Sequence, residues 1–242
     1  MDKLVLTSSL TAQNNKRSNQ QLRGKIELSI RELEKRLSGR TWGVSATKRY
    51  LDALVAGTAL LALSPVLLII ALLIKLTSRG PVFFVQQRTG YRGRRFGMFK
   101  FRTMVVNAEE LKAQLRHLNH HGPDSVDFKI KRDPRITWIG RWLRGTSLDE
   151  LPNLINVLRG DMRLVGPRPT SFDARTYLDH HLDRLNAYPG ITGLWQISGR
   201  SNIDFDERVQ LDRRYILQQS FWLDLKILLK TPIKVISGDG AG

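Results

Sequence analysis

The sequence predicts a mostly helical α/β chain organised around one membrane-embedded helix. Three observations carry that expectation. Residues 53–74 hold no charged side chain, and a run of roughly 20 apolar residues is what a bilayer core requires. Apolar residues recur at helical spacing in several stretches on either side of that run. Downstream, two aromatic and β-branched segments, PVFFVQQR and RFGMFKFRTM, are joined by TGYRGR, the pattern of a strand hairpin.

The stretch from Met1 to about Gln21 is polar, rich in Ser, Asn and Gln, and is expected to lack fixed structure. From Gly24 to Arg40, Ile26, Ile30, Leu33 and Leu37 fall on one narrow face of a helix. That face could dock on the domain, lie on the membrane or pair with a second copy of the chain.

The apolar run Leu51–Leu76 starts too late and is too long for a signal peptide. Ser64-Pro65 lies at its middle. Proline lacks an N–H, so the carbonyl of Leu61 loses its helical partner and the helix bends. The Ser64 hydroxyl is the nearest group that can bond freed backbone. Basic residues crowd both sides: Lys48 and Arg49 before the run, and Lys75, Arg79, Arg88, Arg92, Lys100 and Arg102 after it. Lysine and arginine normally accumulate on the cytoplasmic side. A hairpin bent at Ser64-Pro65 keeps both clusters there, facing anionic phospholipid, whereas a straight kinked span separates them. Charge alone tilts toward the hairpin without deciding it.

Helical spacing resumes over about Thr103–Asn119, and His117, His120 and His121 at its end read as a solvated helix terminus rather than metal ligands. Residues 122–134 look like a loop. Short helices are expected around Ile136–Arg144 and Leu148–Leu158, with Gly160 as a stop signal. An extended piece, Met162–Val165, leads to Gly166-Pro167-Arg168-Pro169. A helical stretch to about Asn186, the turn-rich PGITGLWQISGR, and helices near Asp204–Gln218 and Trp222–Ile236 complete the chain. The last sets Trp222, Leu225, Leu229 and Ile233 beside Lys226, Lys230 and Lys234. Such a face suits a membrane interface, though a core helix with one wet side fits nearly as well.

The 242 residues suffice for one sizeable domain, and the net charge of +17 points to anionic partners. The absence of cysteine excludes disulfides, thiolate catalysis and Cys-ligated zinc. The densest chemical constellation is Thr146-Ser147-Leu148-Asp149-Glu150-Leu151-Pro152. Taken alone, it reads best as a helix start, with Ser147 as N-cap and Glu150 closing a capping box. Its neighbours shift that balance. Arg141, Arg144, Arg159, Arg163 and Arg168 flank the pair, and Arg168 is pre-positioned between two prolines. Guanidinium forks recognise phosphate oxygens. A carboxylate pair among them could hold Mg²⁺ or attack phosphorus.

These residues resemble the bacterial sugar transferase family of monotopic polyprenyl-phosphate phosphoglycosyl transferases. The resemblance runs from Lys48-Arg49 through Ser64-Pro65 and KFRTM at 100–104. It continues through SLDELPNLINVLRGDMRLVGPRP at 147–169, PGITGLWQISGR at 189–200 and LDLKILLKTP at 223–232. Residues 1–47 lie outside it, a pattern like the compact exopolysaccharide-type members. The resemblance implies a monotopic membrane protein with a re-entrant helix-break-helix hairpin and a small cytoplasmic catalytic domain bearing interfacial amphipathic helices. The expected division is 1–47 as N-terminal segment, 48–78 as re-entrant helix and 79–242 as catalytic domain, at the bacterial inner membrane.

It also implies the chemistry. Asp149 would attack the sugar-bearing phosphate of a UDP-sugar, UMP would leave, and undecaprenyl phosphate would take the phosphosugar from the aspartate. Asp149 would also ligate Mg²⁺, and Glu150 would orient it or handle protons. Lys100, Arg102, Arg144 and Arg168 are expected to hold phosphates, with Gln196 shaping the nucleotide side. A glucose or galactose 1-phosphate is favoured over an N-acetylated sugar. Two other readings compete. A nucleic-acid-binding protein would need a basic patch on a recognisable module, and no such module appears. A membrane scaffold without activity is opposed by the intact Asp149-Glu150 pair and its arginines.

Overall fold

The computed structural model describes residues 18, 20–22, 24–29, 31, 42–119, 130, 132–199 and 203–236. It is mostly helical with two small sheets, and its organising element is the 32-residue helix α1 (Ala46–Thr77). Ser45 caps the start, accepting from Lys48 N–H at 3.1 Å. The helix runs on through Pro65. Ser64 Oγ donates to the Leu61 carbonyl at 2.8 Å, so the acceptor that proline deprives keeps a partner. Along its length Leu54, Leu61, Leu68, Leu72 and Leu76 remain exposed, so α1 lacks the polar face of a surface helix in water.

Both ends of α1 nevertheless pack on the same body. Near the start, Ala56 joins a core with Leu154 and Val157. The buried Lys48 ammonium lies 2.5 Å from Asp224 and 3.3 Å from Asp52. Arg49 donates to the Val157 and Leu158 carbonyls, each at 2.6 Å. Near the other end, Ile70 and Ile74 pack with Phe101, Ile139 and Leu143. The buried Arg102 donates to Ser78 and Arg79 carbonyls at the C-terminus of α1. Lys48, Arg49 and Arg102 therefore bind the fold, not lipid headgroups, and the charge argument for the hairpin loses those three members.

The hairpin forms as its sequence requires. Strands β1 (Phe83–Thr89) and β2 (Arg95–Phe101) pair antiparallel from Phe83↔Phe101 to Thr89↔Arg95. The turn is made by Arg92 and Gly93, both at positive φ, where glycine carries no steric cost. Opposed residues share a face, so Phe84, Gln86 and Arg88 stand on the side of Lys100, Met98 and Phe96. Met98 and Phe96 are buried, so this face looks into the core.

Beyond it the expected helix over Thr103–Asn119 shortens to α2 (Ala108–Gln114) and a 3₁₀ turn at Arg116–Leu118. Met104 pairs instead with Ile136 in a bridge, and the β-branched Val105 and Val106 suit that extended entry. His117 is exposed, its Nδ1 2.9 Å from the Gln114 carbonyl, as a solvated helix end should be. His120 and His121 lie outside the described residues. Helix α3 (Trp138–Gly145) starts at a Thr137 cap. Its Gly140 sits against the Thr103 carbonyl with no room for a Cβ, which brings Arg144 beside KFRTM.

The expected capping box does not form. Ser147 adopts a left-handed φ of 57° and makes no cap bond, and Leu148–Glu150 is a 3₁₀ turn. Helix α4 (Asn153–Arg159) begins only after Pro152. Proline has no N–H to give a helix interior, and Glu150 is drawn elsewhere. Gly160, at φ 90°, ends α4 as expected. Strands β3 (Arg163–Val165) and β4 (Gly190–Thr192) pair in parallel. Between them run 3₁₀ turns at Ala174–Thr176 and Asp179–Asn186, in place of a regular helix. Helices α5 (Leu194–Ser198), α6 (Phe205–Gln218) and α7 (Phe221–Ile236) follow. On α7 one side packs inward and the aromatic and aliphatic side does not. Trp222, Leu229 and Ile233 point outward at 74%, 65% and 68% exposure, while Ile227 fills the core. Trp138 and Trp142 of α3 are exposed too.

In the N-terminal tail residues 24–29 and 31 are helical, as expected from Gly24 onward, and residues 18 and 20–22 are helical a few positions ahead of that start. Ile26 is buried against Ala174, Tyr177, Leu182 and Leu185, which takes the docking alternative. Ile30, Leu33 and Leu37 lie outside the described residues.

Candidate active site

Two adjacent carboxylates in the 3₁₀ turn have opposite circumstances. Glu150 is locked. Its Oε2 accepts from Arg168 Nη1 at 2.9 Å and its Oε1 from Lys100 Nζ at 2.7 Å, with Arg168 Nη2 also on Oε1. Burial alone would raise its pKa, but Arg168 and Lys100 outweigh that and hold it well below the usual carboxylate range. Asp149 is buried at 7% exposure, yet among the described residues its carboxylate has no hydrogen-bond or ion-pair partner. Burial pushes its pKa up, and the nearby charge of Glu150 adds to that. Lys100, Arg144 and Arg168 oppose the rise without cancelling it.

The elements explain the placement. Lys100 projects from the core face of β2, and the same face holds its ammonium against Glu150. Burial lowers the Lys100 pKa, with Glu150 resisting. Arg168 stands between Pro167 and Pro169, so its fork meets Glu150 with little freedom to lose. Arg144, at the end of α3, donates from Nε to Thr103 Oγ1 at 2.9 Å and feels Asp149 electrostatically. The left-handed Ser147 costs of order 1–2 kcal/mol and turns the pair toward these cations.

Asp149, Glu150, Lys100, Arg144 and Arg168 thus converge. Arg102 and Gln196 do not join them. Arg102 is spent on the end of α1, and Gln196 on α5 donates to the Ile191 carbonyl at 2.9 Å. Sequence reasoning passed over Arg88. Its guanidinium donates to Gln86 Oε1 at 2.6 Å and the Pro169 carbonyl at 3.3 Å. Burial and the neighbouring Arg168 pull its pKa down to about 10. Strand alternation held the signal, since Arg88 shares a face with Lys100 across the hairpin.

One other group of ligand-type side chains occurs among the described residues: His180, His181 and Asp206. The Leu178 N–H donates to His181 Nδ1 at 3.2 Å, so Nε2 bears the ring proton and donates to Asp206 at 2.5 Å. A metal would need that Nε2 lone pair. The cluster is a hydrogen-bonded latch between residues 179–186 and the first turn of α6.

The buried carboxylate pair amid cations coincides with a match to the bacterial sugar transferase family model over residues 43–238. The chain belongs to that family. Among its relatives is the undecaprenyl-phosphate galactose phosphotransferase of Salmonella typhimurium, 45% identical over 80% of this chain and 41% of that protein. The exopolysaccharide production protein ExoY of Rhizobium meliloti is 41% identical over 76% of this chain and 83% of that protein. An undecaprenyl-phosphate glucose phosphotransferase of Komagataeibacter xylinus is 42% identical over 76% of this chain and 35% of that protein. The chain therefore spans about two fifths or less of the length of the first and third of these relatives and most of ExoY.

Proposed function

We propose that this sugar transferase moves a hexose 1-phosphate, glucose or galactose, from a UDP-sugar to undecaprenyl phosphate. UMP is released and assembly of an exopolysaccharide repeat unit begins. The observation that carries this reading is the contrast between the neighbours: Glu150 is committed to Arg168 and Lys100, while Asp149 is buried, uncommitted and ringed by cations. A carboxylate so placed is a nucleophile without competing partners. One Asp149 oxygen bonds to the phosphorus that carries the sugar, and the bond from that phosphorus to the bridging oxygen breaks. UMP leaves with the electron pair. A phosphate oxygen of undecaprenyl phosphate then attacks the same phosphorus, and Asp149 departs as carboxylate. Lys100, Arg144 and Arg168 stabilise the charge on the transferring group, and Glu150 holds Arg168 and Lys100 in register.

Mg²⁺ typically binds through one or two carboxylates plus substrate phosphates and keeps several waters. The single uncommitted carboxylate of Asp149 fits that demand, and Glu150 does not, having both oxygens engaged. Bound there, the ion would neutralise phosphoryl charge. Quenching a reaction of enzyme and UDP-sugar without lipid acceptor should leave a phosphohexose adduct on the Asp149 peptide by mass spectrometry. A requirement for both substrates before any UMP appears would sink the relay.

The chain sits monotopically on the cytoplasmic face of the bacterial inner membrane, with α1 entering one leaflet and returning at Ser64-Pro65. A straight 32-residue helix is about 48 Å long, yet Lys48 and Ile74, near its opposite ends, touch one body. The outward Trp138, Trp142, Trp222 and Leu229 support contact with phospholipid at the headgroup level. In the cysteine-free background, single cysteines near Arg40 and Gly93 should both react with a reagent confined to the cytoplasmic side. Labelling from opposite faces would refute the hairpin.

A further inference from the structure

Residues 18, 20–22, 24–29 and 31 lie outside the family match, yet they are helical and dock through Ile26. Ile26 is 4% exposed. It fills the space between Ala174, Tyr177 and Leu185, and its Cδ1 approaches the hairpin tip closely enough that a Cβ on Gly93 would stand 3.0 Å away. Lys25 Nζ reaches Asp179 at 2.7 Å, Ser29 Oγ donates to Asp183 at 2.8 Å, and Asn186 Nδ2 donates to Ser29 Oγ at 3.0 Å. Residues 25, 26 and 29 share one side of a helical turn, so a single face makes every one of these contacts.

What that face covers has little regular structure of its own. Residues 172–186 contain only 3₁₀ turns, which are held in place by what packs on them. The same segment backs the phosphate-binding loop. Arg184 Nη2 donates to the Arg168 carbonyl at 2.7 Å and pairs with the buried Asp212 at 2.8 Å. Tyr177 bonds to Thr170, and Thr89 Oγ1 donates to the Phe172 carbonyl at 2.8 Å. Arg168 is therefore gripped at its backbone by a segment whose outer surface is the seat of Ile26.

We infer that the N-terminal helix is a positioning clamp, which presses residues 172–186 onto the loop of Arg168 and so fixes the guanidinium that meets the nucleotide-sugar phosphate. The catalytic consequence rests on the function proposed above, whereas the mechanical coupling does not. The helix has no contact with reacting atoms. Its effect runs through the placement of Arg168 and falls on kcat/KM for the UDP-sugar.

The test uses the full chain in lipid, comparing Ile26→Asp, Ile26→Val and Leu28→Asp by amide hydrogen exchange and steady-state kinetics. Leu28 is 62% exposed on the same helix and serves as the control. Ile26→Asp is expected to speed exchange over residues 172–186 by about tenfold or more while β3 and α6 stay protected. The value of kcat/KM for the UDP-sugar should fall roughly three- to tenfold. Ile26→Val should restore both values, and Leu28→Asp should alter neither. Unchanged exchange over 172–186 in Ile26→Asp would overturn the clamp. Faster exchange with unchanged kcat/KM would overturn its link to Arg168, and equal effects from Leu28→Asp would overturn the face assignment. Activity persisting in Asp149→Ala would remove the proposed chemistry and leave the exchange result standing.

Discussion

Asp149→Asn is expected to lower the release of UMP from a UDP-sugar in the presence of undecaprenyl phosphate by about 10⁴-fold or more, since a nucleophile removed outright leaves only binding and electrostatics. The same variant should be more heat-stable than the parent. Burial raises the Asp149 pKa in the folded state, so between the unfolded and folded values the unfolded chain binds fewer protons. Stability is therefore lost as pH rises through that window. Asparagine fills the same volume without the charge, so its gain is present at neutral pH and vanishes below the unfolded carboxylate's pKa. The raised value also sets the acid limb of activity. Only the carboxylate attacks phosphorus, so kcat/KM should rise with pH through a midpoint above that of an ordinary aspartate. A variant both active and less stable would contradict the assignment on both counts.

Arg168→Ala is expected to cost about 10²–10³ in kcat/KM, the scale of removing one preorganised group that stabilises transferring charge. It should also destabilise. Removing one partner from a buried pair costs roughly 3–5 kcal/mol when the remaining charge is left alone. Here the loss should fall short of that range, because Lys100 still faces Glu150 at 2.7 Å. Arg168→Lys should recover much of the stability and little of the activity, since an ammonium lacks the fork that meets both Glu150 oxygens. Adding Glu150→Ala to Arg168→Ala should not regain the stability, because it strands the Lys100 ammonium, and the enzyme should remain slow. Denaturant unfolding and UMP release on the same samples decide this.

How much of this was legible from residues depends on how far each signal reaches. The β1–β2 hairpin was readable because alternation and a glycine turn are local. Gly160 was readable for the same reason. The 3₁₀ turn carrying Asp149 and Glu150 was not, because Ser147 and Glu150 satisfy a capping box on paper. Arg168, 18 residues away, and Lys100, 50 residues away, claim the glutamate instead. Arg102 misled in the opposite sense. It shares the KFRTM motif with Lys100 and by strand alternation would share its face, yet β2 ends at Phe101 and Arg102 turns instead to Ser78 at the end of α1. Lys48 was counted with the surface cations, and only the fold reveals Asp224 beside it.

That last contact sets an order of events during synthesis. Lys48 and Asp224 are 176 residues apart. At roughly 5–20 residues per second, the acid emerges about 10–35 s after the base. For that interval Lys48 has only Asp52, 3.3 Å away on the same helix, and lacks the closer acid that accompanies its burial. The first turn of α1 therefore stays wet until then. Final seating waits until α7 delivers Asp224, Tyr215 Oη bonds to that carboxylate at 2.8 Å, and Trp42 Nε1 does so at the same distance. Forming the helix and seating its first turn are thus separate acts, and a ribosome stalled before α7 would leave α1 made but its first turn not yet set on the domain.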